Sequence, residues 1–283
     1  MTSQDASSGA QDSDLPASAA EPPPFDITVA HPARIYNYWL GGKDNYEADR
    51  EAGELAVRYN PNILPGVRAN RAFLRRAVQF LAGEAGIRQF LDIGTGIPAA
   101  GNTHEVAQRV APDARVVYVD NDPIVLLHAQ ALLRSTPEGA TTYLQADLRD
   151  PGAILDRAAS LLDFGQPVAV MLLGVLHLIQ DDEDPWGIVA RLMEAMPPGS
   201  YLTISHPAID IHKSQANAQR VYNERVATPQ TLRTREQVAR FFAGLELVDP
   251  GLVQVHQWRP GPGDFAPEGT VSAHGAVARK PGA

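Results

Sequence analysis

Three segments in the middle of this chain read as strands that carry or run into an acidic residue, and helix signals lie between them. They are Arg88 to Ile93, which carries Asp92 and turns into Gly94-Thr95-Gly96, then Val116 to Val119 followed by Asp120, and Thr141 to Ala146 followed by Asp147. The first reads as a short, largely buried strand and the second as a β-branched-rich one, and strands alternating with helices build a parallel, doubly wound sheet. The pattern continues. Asp122-Pro123 supplies an N-cap and a first-turn proline for a helix through Leu133. Val168 to Leu173 reads as a fourth strand, and a helix around Trp186 to Ala195 precedes a fifth, Tyr201 to Ser205. In such a sheet ligands bind beyond the carboxyl ends of the strands. Four loops are therefore candidates, those after Ile93, Val119, Ala146 and Leu173.

Outside this alternation, Phe73, Leu74, Ala77, Val78 and Leu81 recur at helical spacing, with Asn70 suited to the start and Gly86 to the stop. Asn102 with Glu105, and Thr234 with Gln237, have the spacing of capping boxes. Leu245 to Trp258 and Ala273 to Ala278 are expected to form a terminal antiparallel pair. Residues 1–24 are dominated by Ser, Ala, Asp, Gln and Pro and hold almost nothing able to fill a core, which predicts a disordered tail. The expected organisation is that tail, an N-terminal helical cap over 25–86, and an α/β domain over 87–283.

Composition narrows the partners. A formal charge of −9 argues against a generally basic nucleic-acid surface, although Arg71, Arg75 and Arg76 are close enough to form a local patch. No Lys or Arg precedes Arg34 and no apolar run approaches membrane-spanning length, so a cytoplasmic protein without a membrane partner is expected. The absence of cysteine excludes disulfides, thiolate nucleophiles and Cys-based zinc sites. The acidic run Asp181-Asp182-Glu183-Asp184 reads as a solvated loop, and no metal is expected. Oligomeric state leaves no trace in the sequence.

The first loop satisfies G-x-G-x-x-G/A with Gly94, Gly96 and Ala99. Asp92 stands two residues earlier, where an acid organises the loop or meets a cationic ligand. Asp120 follows 26 residues after Gly94 (120 minus 94), near the distance for accepting ribose hydroxyls, and Asp147 can address an adenine amino group. Each acid alone is as well explained by a cap or turn. Together, at one sheet edge, they describe a nucleoside pocket. A nicotinamide-dependent oxidoreductase would use the same loop and Asp120, whereas Asp92 and Asp147 favour a sulfonium cofactor.

The spacing of Leu91 to Gly96, Val116 to Pro123 and Gln145 to Leu148 resembles that of class I, Rossmann-like methyltransferases that bind S-adenosylmethionine. Pro32 to Asp49, Leu91 to Gln108, Val119 to Val125 and Gln145 to Pro151 more closely resemble a bacterial family of S-adenosyl methyltransferases formerly listed as a domain of unknown function. That resemblance implies S-adenosylmethionine as cofactor, with Gly94 and Gly96 near its methionine portion, Asp120 at the ribose, Asp147 at the adenine, and Asn121 and Leu148 flanking it. The fourth strand runs into Gly174-Val175-Leu176-His177, where a small-molecule acceptor would meet the methyl group. His177 is the candidate general base or a structural histidine, and His206 has a weaker claim. Tyr36, Tyr38, Trp39, Lys43 and Asn45 form a candidate lid whose aromatics either pack on the body or cover a ligand. A binding protein without turnover would show the same fold and pocket.

Overall fold

The computed structural model describes residues 26–282 except Leu133, Lys213, Ser214, Arg225 and Ala227. The disordered-tail expectation for 1–24 lies outside the described residues. Five parallel strands, β1 (Gln89–Ile93), β2 (Arg115–Asp120), β3 (Ala140–Gln145), β4 (Ala169–Leu173) and β5 (Tyr201–Pro207), run in the order 3-2-1-4-5. All five expected strands are present. The order reverses between β1 and β4, and this switch point leaves a crevice beyond their carboxyl ends.

Alternation within the strands divides the core. Leu91, Ile93, Val117, Val119, Val170 and Leu172 face one layer, formed by α6 (Pro151–Ala158), α7 (Pro185–Glu194) and α9 (Arg235–Ala239) through Ile154, Ile188, Leu192 and Val238. Phe90, Val116, Tyr118, Ala169 and Met171 face the opposite layer, formed by α3 (Ile63–Gly83) and α4 (Thr103–Val110). The α3 stripe Phe73, Leu74, Ala77, Val78 and Leu81 is buried there as its spacing predicts. The helix begins seven residues before Asn70 (70 minus 63). Pro65 lies in its first turn, where no intrahelical N–H is required.

Capping chemistry follows the sequence with one change. Asp122 Oδ1 accepts the Ile124 N–H at 2.9 Å to open α5 (Pro123–Leu132). Thr234 and Gln237 form the reciprocal box of α9 at 3.2 and 2.9 Å. Asn102, however, does not cap α4. Its Oδ1 accepts from Ala99 N–H and Arg71 Nη2, and Glu105 reaches back to Gly101 N–H, so both side chains tie the Gly-rich loop instead.

The expected terminal pair is only partly formed. β8 (Ala273–Arg279) runs antiparallel to β5, but 245–258 gives two short strands, β6 (Glu246–Leu247) and β7 (Val253–Gln254), along the far edge of β8. Asp249-Pro250-Gly251, with Gly251 at φ +82°, turns the chain between them. Trp258 then plugs the α3 layer, edge-on to Phe73 at 5.5 Å and Phe80 at 5.9 Å. Arg76 holds that segment by donating to Val255 O and Trp258 O, each at 2.7 Å, while Arg75 pairs with Asp264. The cluster Arg71, Arg75 and Arg76 is thus consumed by internal contacts rather than presented as one surface patch.

Before α3 come α1 (Pro32–Trp39) and α2 (Glu47–Tyr59), which pack on each other. Ile35 and Ala56 share a separate small core with Tyr222 of α8 (Gln215–Asn223), a helix that follows β5. Asn60 Nδ2 donates to Gln215 Oε1 at 3.1 Å across the same junction. Two segments far apart in sequence therefore meet above the sheet edge. Among the described residues, no helix is long and apolar enough to cross a membrane.

Candidate active site

A cavity opens at the switch point, with the strand ends as its floor and α1 and α8 above it. Gly94 and Gly96 have φ of +75° and +64°, a region that L side chains rarely enter. Gly94 is further constrained by space. A Cβ there would lie 2.3 Å from the side chain of Val175, because the loops after β1 and β4 press together. Its N–H donates to Val119 O at 2.8 Å, which fixes the loop to β2.

The three acids line this floor in different settings. Asp92 is buried and accepts from Thr103 Oγ1 at 2.6 Å; burial pushes its carboxyl up to about 6. Asp120 accepts from Gly96 N–H at 2.8 Å and Asp122 N–H at 3.0 Å. Burial raises it too, against the lowering effect of those two bonds. Each oxygen retains a lone pair for a ligand hydroxyl. Asp147 is half-exposed and accepts from Arg149 N–H at 2.9 Å, with Asn121 Nδ2 3.4 Å away. Leu148 is buried beside it and also lines the cavity. Tyr143, absent from the sequence reading, joins the floor through a hydrogen bond with Thr95 and stacks on Tyr118.

On the β4 side, Gly174 turns at φ +67° and His177 lines the cavity. Beneath His177 lies Arg233, fully buried. Its guanidinium donates to Leu176 O at 2.8 Å, Ile179 O at 2.7 Å and Asp181 Oδ1 at 2.7 Å, gripping the turn that carries His177. Arg233 Nη1 also lies 2.9 Å from His206 Nε2. A guanidinium can only donate, so that nitrogen accepts and His206 Nδ1–H donates to Pro207 O at 2.8 Å. His206 is therefore a neutral structural residue, held well below its ordinary value by burial first and by its His177 neighbour. Burial and then Arg233 lower His177 to about 4, and its Nδ1 has no hydrogen-bond partner among the described residues.

The acidic run is more engaged than a solvated loop. Asp181 pairs with Arg233, Glu183 with Arg149, and Asp184 caps α7 by accepting the Gly187 N–H at 3.0 Å. Arg149 also donates to Leu178 O at 3.1 Å, so it joins the β3 exit to the His177 turn.

The candidate lid divides. Tyr36 and Trp39 line the cavity; Tyr36 Oη accepts from Asn70 Nδ2 at 3.0 Å, and Trp39 Nε1 donates to Gly53 O at 3.2 Å. Tyr38, Lys43 and Asn45 do not line it. Tyr38 donates outward to Glu54 at 3.1 Å, Lys43 is exposed, and Asn45 Nδ2 closes a turn on Asn37 Oδ1 and Gly42 O, each at 2.9 Å. A Cβ on Gly42 would strike Asn37 at 2.4 Å, so Gly42 serves that turn. What the sequence reading missed is the other half of the roof. Tyr222, Thr228 and Gln230 line the cavity, and 229–233 is stitched to the His177 turn by Thr231 N–H to His177 O at 2.7 Å and Gln180 Nε2 to Pro229 O at 2.9 Å. His31 at the start of α1 links roof to floor, its Nδ1 3.0 Å from Asp122 Oδ2. Burial pushes the Asp122 carboxyl up; the His31 contact, the Ile124 N–H bond and the charge of Arg34 together outweigh it and leave the group below its ordinary value.

The donor set fits an adenosyl sulfonium ligand. Three acids face one crevice, two of them buried with no cationic partner among the described residues within ion-pair distance, and backbone approaches the cavity at the two floor glycines. The comparisons agree. A protein of the DUF574 family from Streptomyces avermitilis is 50% identical, with 90% of this chain and 99% of that one aligned at a TM-score of 0.87. A provisionally assigned methyltransferase from Thermobifida fusca is 41% identical, covering 93% and 100% of the two chains at a TM-score of 0.83. An O-methyltransferase family protein from Burkholderia thailandensis, 15% identical over 74% of this chain and 55% of that one, shares the fold at a TM-score of 0.51. No curated protein matches the chain. The model of the S-adenosyl methyltransferase family matches residues 18–281, which sets aside the nicotinamide alternative. The chain belongs to the S-adenosyl methyltransferase family, and S-adenosylmethionine is its cofactor.

Proposed function

We propose that this methyltransferase acts on a small-molecule acceptor at oxygen or nitrogen, bound between the His177 turn and the α1–α8 roof. The observation that carries this reading is the enclosure of one crevice by two segments remote in sequence, which leaves room beside the floor but covers it from above. In this reading Asp120 would accept the ribose hydroxyls and Asp147 and Asn121 would meet the adenine edge, with Leu148 against the ring. Asp92 would face the methionyl ammonium, and Gly94, Gly96 and Gly174 would let backbone approach the methionine portion.

The cofactor supplies an activated methyl group. The chain's own work is then to hold the acceptor in line, exclude water and manage a proton. A group lowered to about 4 is neutral at pH 7, so His177 can accept a hydrogen bond or a proton there. Calorimetric titration with S-adenosylmethionine, S-adenosylhomocysteine and a nicotinamide dinucleotide tests the cofactor half. Saturable binding of the first two is expected; binding of the nicotinamide dinucleotide alone would overturn it. For the acceptor half, His177→Asn should lower turnover about 10²- to 10⁴-fold on any acceptor that must lose a proton, with S-adenosylhomocysteine affinity unchanged.

A further inference from the structure

The carboxylates among the described cavity-lining residues are confined to one half of the cavity. Asp92, Asp120 and Asp147 all stand at the ends of β1, β2 and β3. Beyond β4, the described residues lining the cavity include no carboxylate. That end offers the imidazole of His177, the amides of Asn70 and Gln230, and aromatic faces from Tyr36, Trp39 and Tyr222. Beneath it the buried Arg233 guanidinium adds a fixed positive charge, which Asp181 meets from its half-exposed outer side.

We infer that the acceptor half recognises a planar aromatic compound through an acidic hydroxyl group, and discriminates against protonated amines. This rests on the reading of the β1–β3 ends as the cofactor half. An ammonium entering beyond β4 would find no carboxylate on the described cavity wall, the nearby Asp181 being already paired with Arg233. A phenolic hydroxyl meets the reverse situation. His177 Nδ1 has no hydrogen-bond partner among the described residues and suits a hydroxyl donor. Asn70 Oδ1, also buried and without a partner among the described residues, provides a second acceptor for a polyhydroxylated ring. The aromatic faces of Tyr36, Trp39 and Tyr222 supply apolar contact at low conformational cost for a flat ring.

Three probes of similar shape separate these demands: 4-nitrophenol, 4-nitrobenzylamine and 4-nitroanisole. Each is titrated calorimetrically at pH 7 into the full-length protein saturated with S-adenosylhomocysteine. 4-Nitrophenol is expected to bind at least tenfold more tightly than the protonated amine and the methyl ether. His177→Phe should erase that preference while leaving S-adenosylhomocysteine affinity within twofold. Equal or tighter binding of the amine, no binding of the phenol, or a preference that survives His177→Phe would each overturn the inference and leave the cofactor assignment standing. Failure of S-adenosylhomocysteine itself to bind would instead remove the reading on which the inference rests.

Discussion

The floor and the roof of the cavity are built by different rules. On the floor, every important position is set within a few residues of a strand end: Asp92 precedes Gly94, Asp120 orients itself on Gly96 and Asp122, and Asp147 turns onto Arg149. The roof exists because α1 and α2 meet α8 more than 150 residues later, as in the Asn60–Gln215 bond. A floor residue is therefore constrained by local backbone geometry, and a roof residue by packing between distant segments. Substitutions should separate the two.

The largest effect is expected at Gly94. Ala there meets both the positive φ and the Val175 side chain, a combination that costs about 2 to 5 kcal/mol of stability and should abolish S-adenosylhomocysteine binding. Denaturant melts and calorimetry check both; a folded variant with native affinity would show that the two loops yield easily.

Asp92→Asn comes next and carries a pH signature. Because the folded-state carboxyl is raised from 3.8 to about 6, folding binds a proton between those values. Stability contributed by the neutral acid is present below 3.8, declines as pH rises to about 6, and stays absent above. The variant lacks that decline, so its stability relative to native should climb across this window by up to about 3 kcal/mol and then level off. A difference independent of pH would mean that Asp92 titrates normally. The same substitution should weaken cofactor binding.

Asp120→Ala should weaken S-adenosylhomocysteine binding by about 1.5 to 3 kcal/mol while the protein remains folded. Native affinity would remove Asp120 from the ligand's contacts.

The roof gives the smallest effects and the sharpest internal contrast. Tyr36→Phe removes the Asn70 bond beside the cavity and should cost about 1 kcal/mol in stability or ligand affinity, whereas Tyr38→Phe, whose hydroxyl faces Glu54 outside it, should change affinity by less than about 0.5 kcal/mol. Equal effects at the two tyrosines would dissolve the distinction drawn between them.

This difference in construction also governs what can be read from the sequence. Strands, their order of appearance and the floor acids are legible because strands buried on both faces, such as β2 and β4, write continuous apolar runs, because β-branched and aromatic residues mark the less buried β3, and because left-handed turns require glycine. The α3 stripe is legible for the same reason, although its true start is hidden by the mild signature of Pro65 near an N-terminus. Arg233 is illegible. Nothing around it marks a guanidinium that grips the His177 turn and dictates the His206 tautomer, since its partners are carbonyls 54 and 57 residues away and a histidine on β5. Tyr222, Thr228 and Gln230 are hidden likewise, because their place over the cavity depends on where α2 comes to rest. Tyr36, Tyr38 and Trp39 looked alike as aromatics of one segment; only the helix's orientation on its neighbours separates the cavity-facing pair from Tyr38.

The claim that floor and roof form one binding site is tested most directly by hydrogen exchange of the full-length protein with and without S-adenosylhomocysteine. Protection is predicted to rise both in the floor loops at 94–97, 120–122 and 147–149 and in the roof segments 34–39 and 228–233. Protection confined to the floor loops, with both roof segments exchanging as in the free protein, would contradict it.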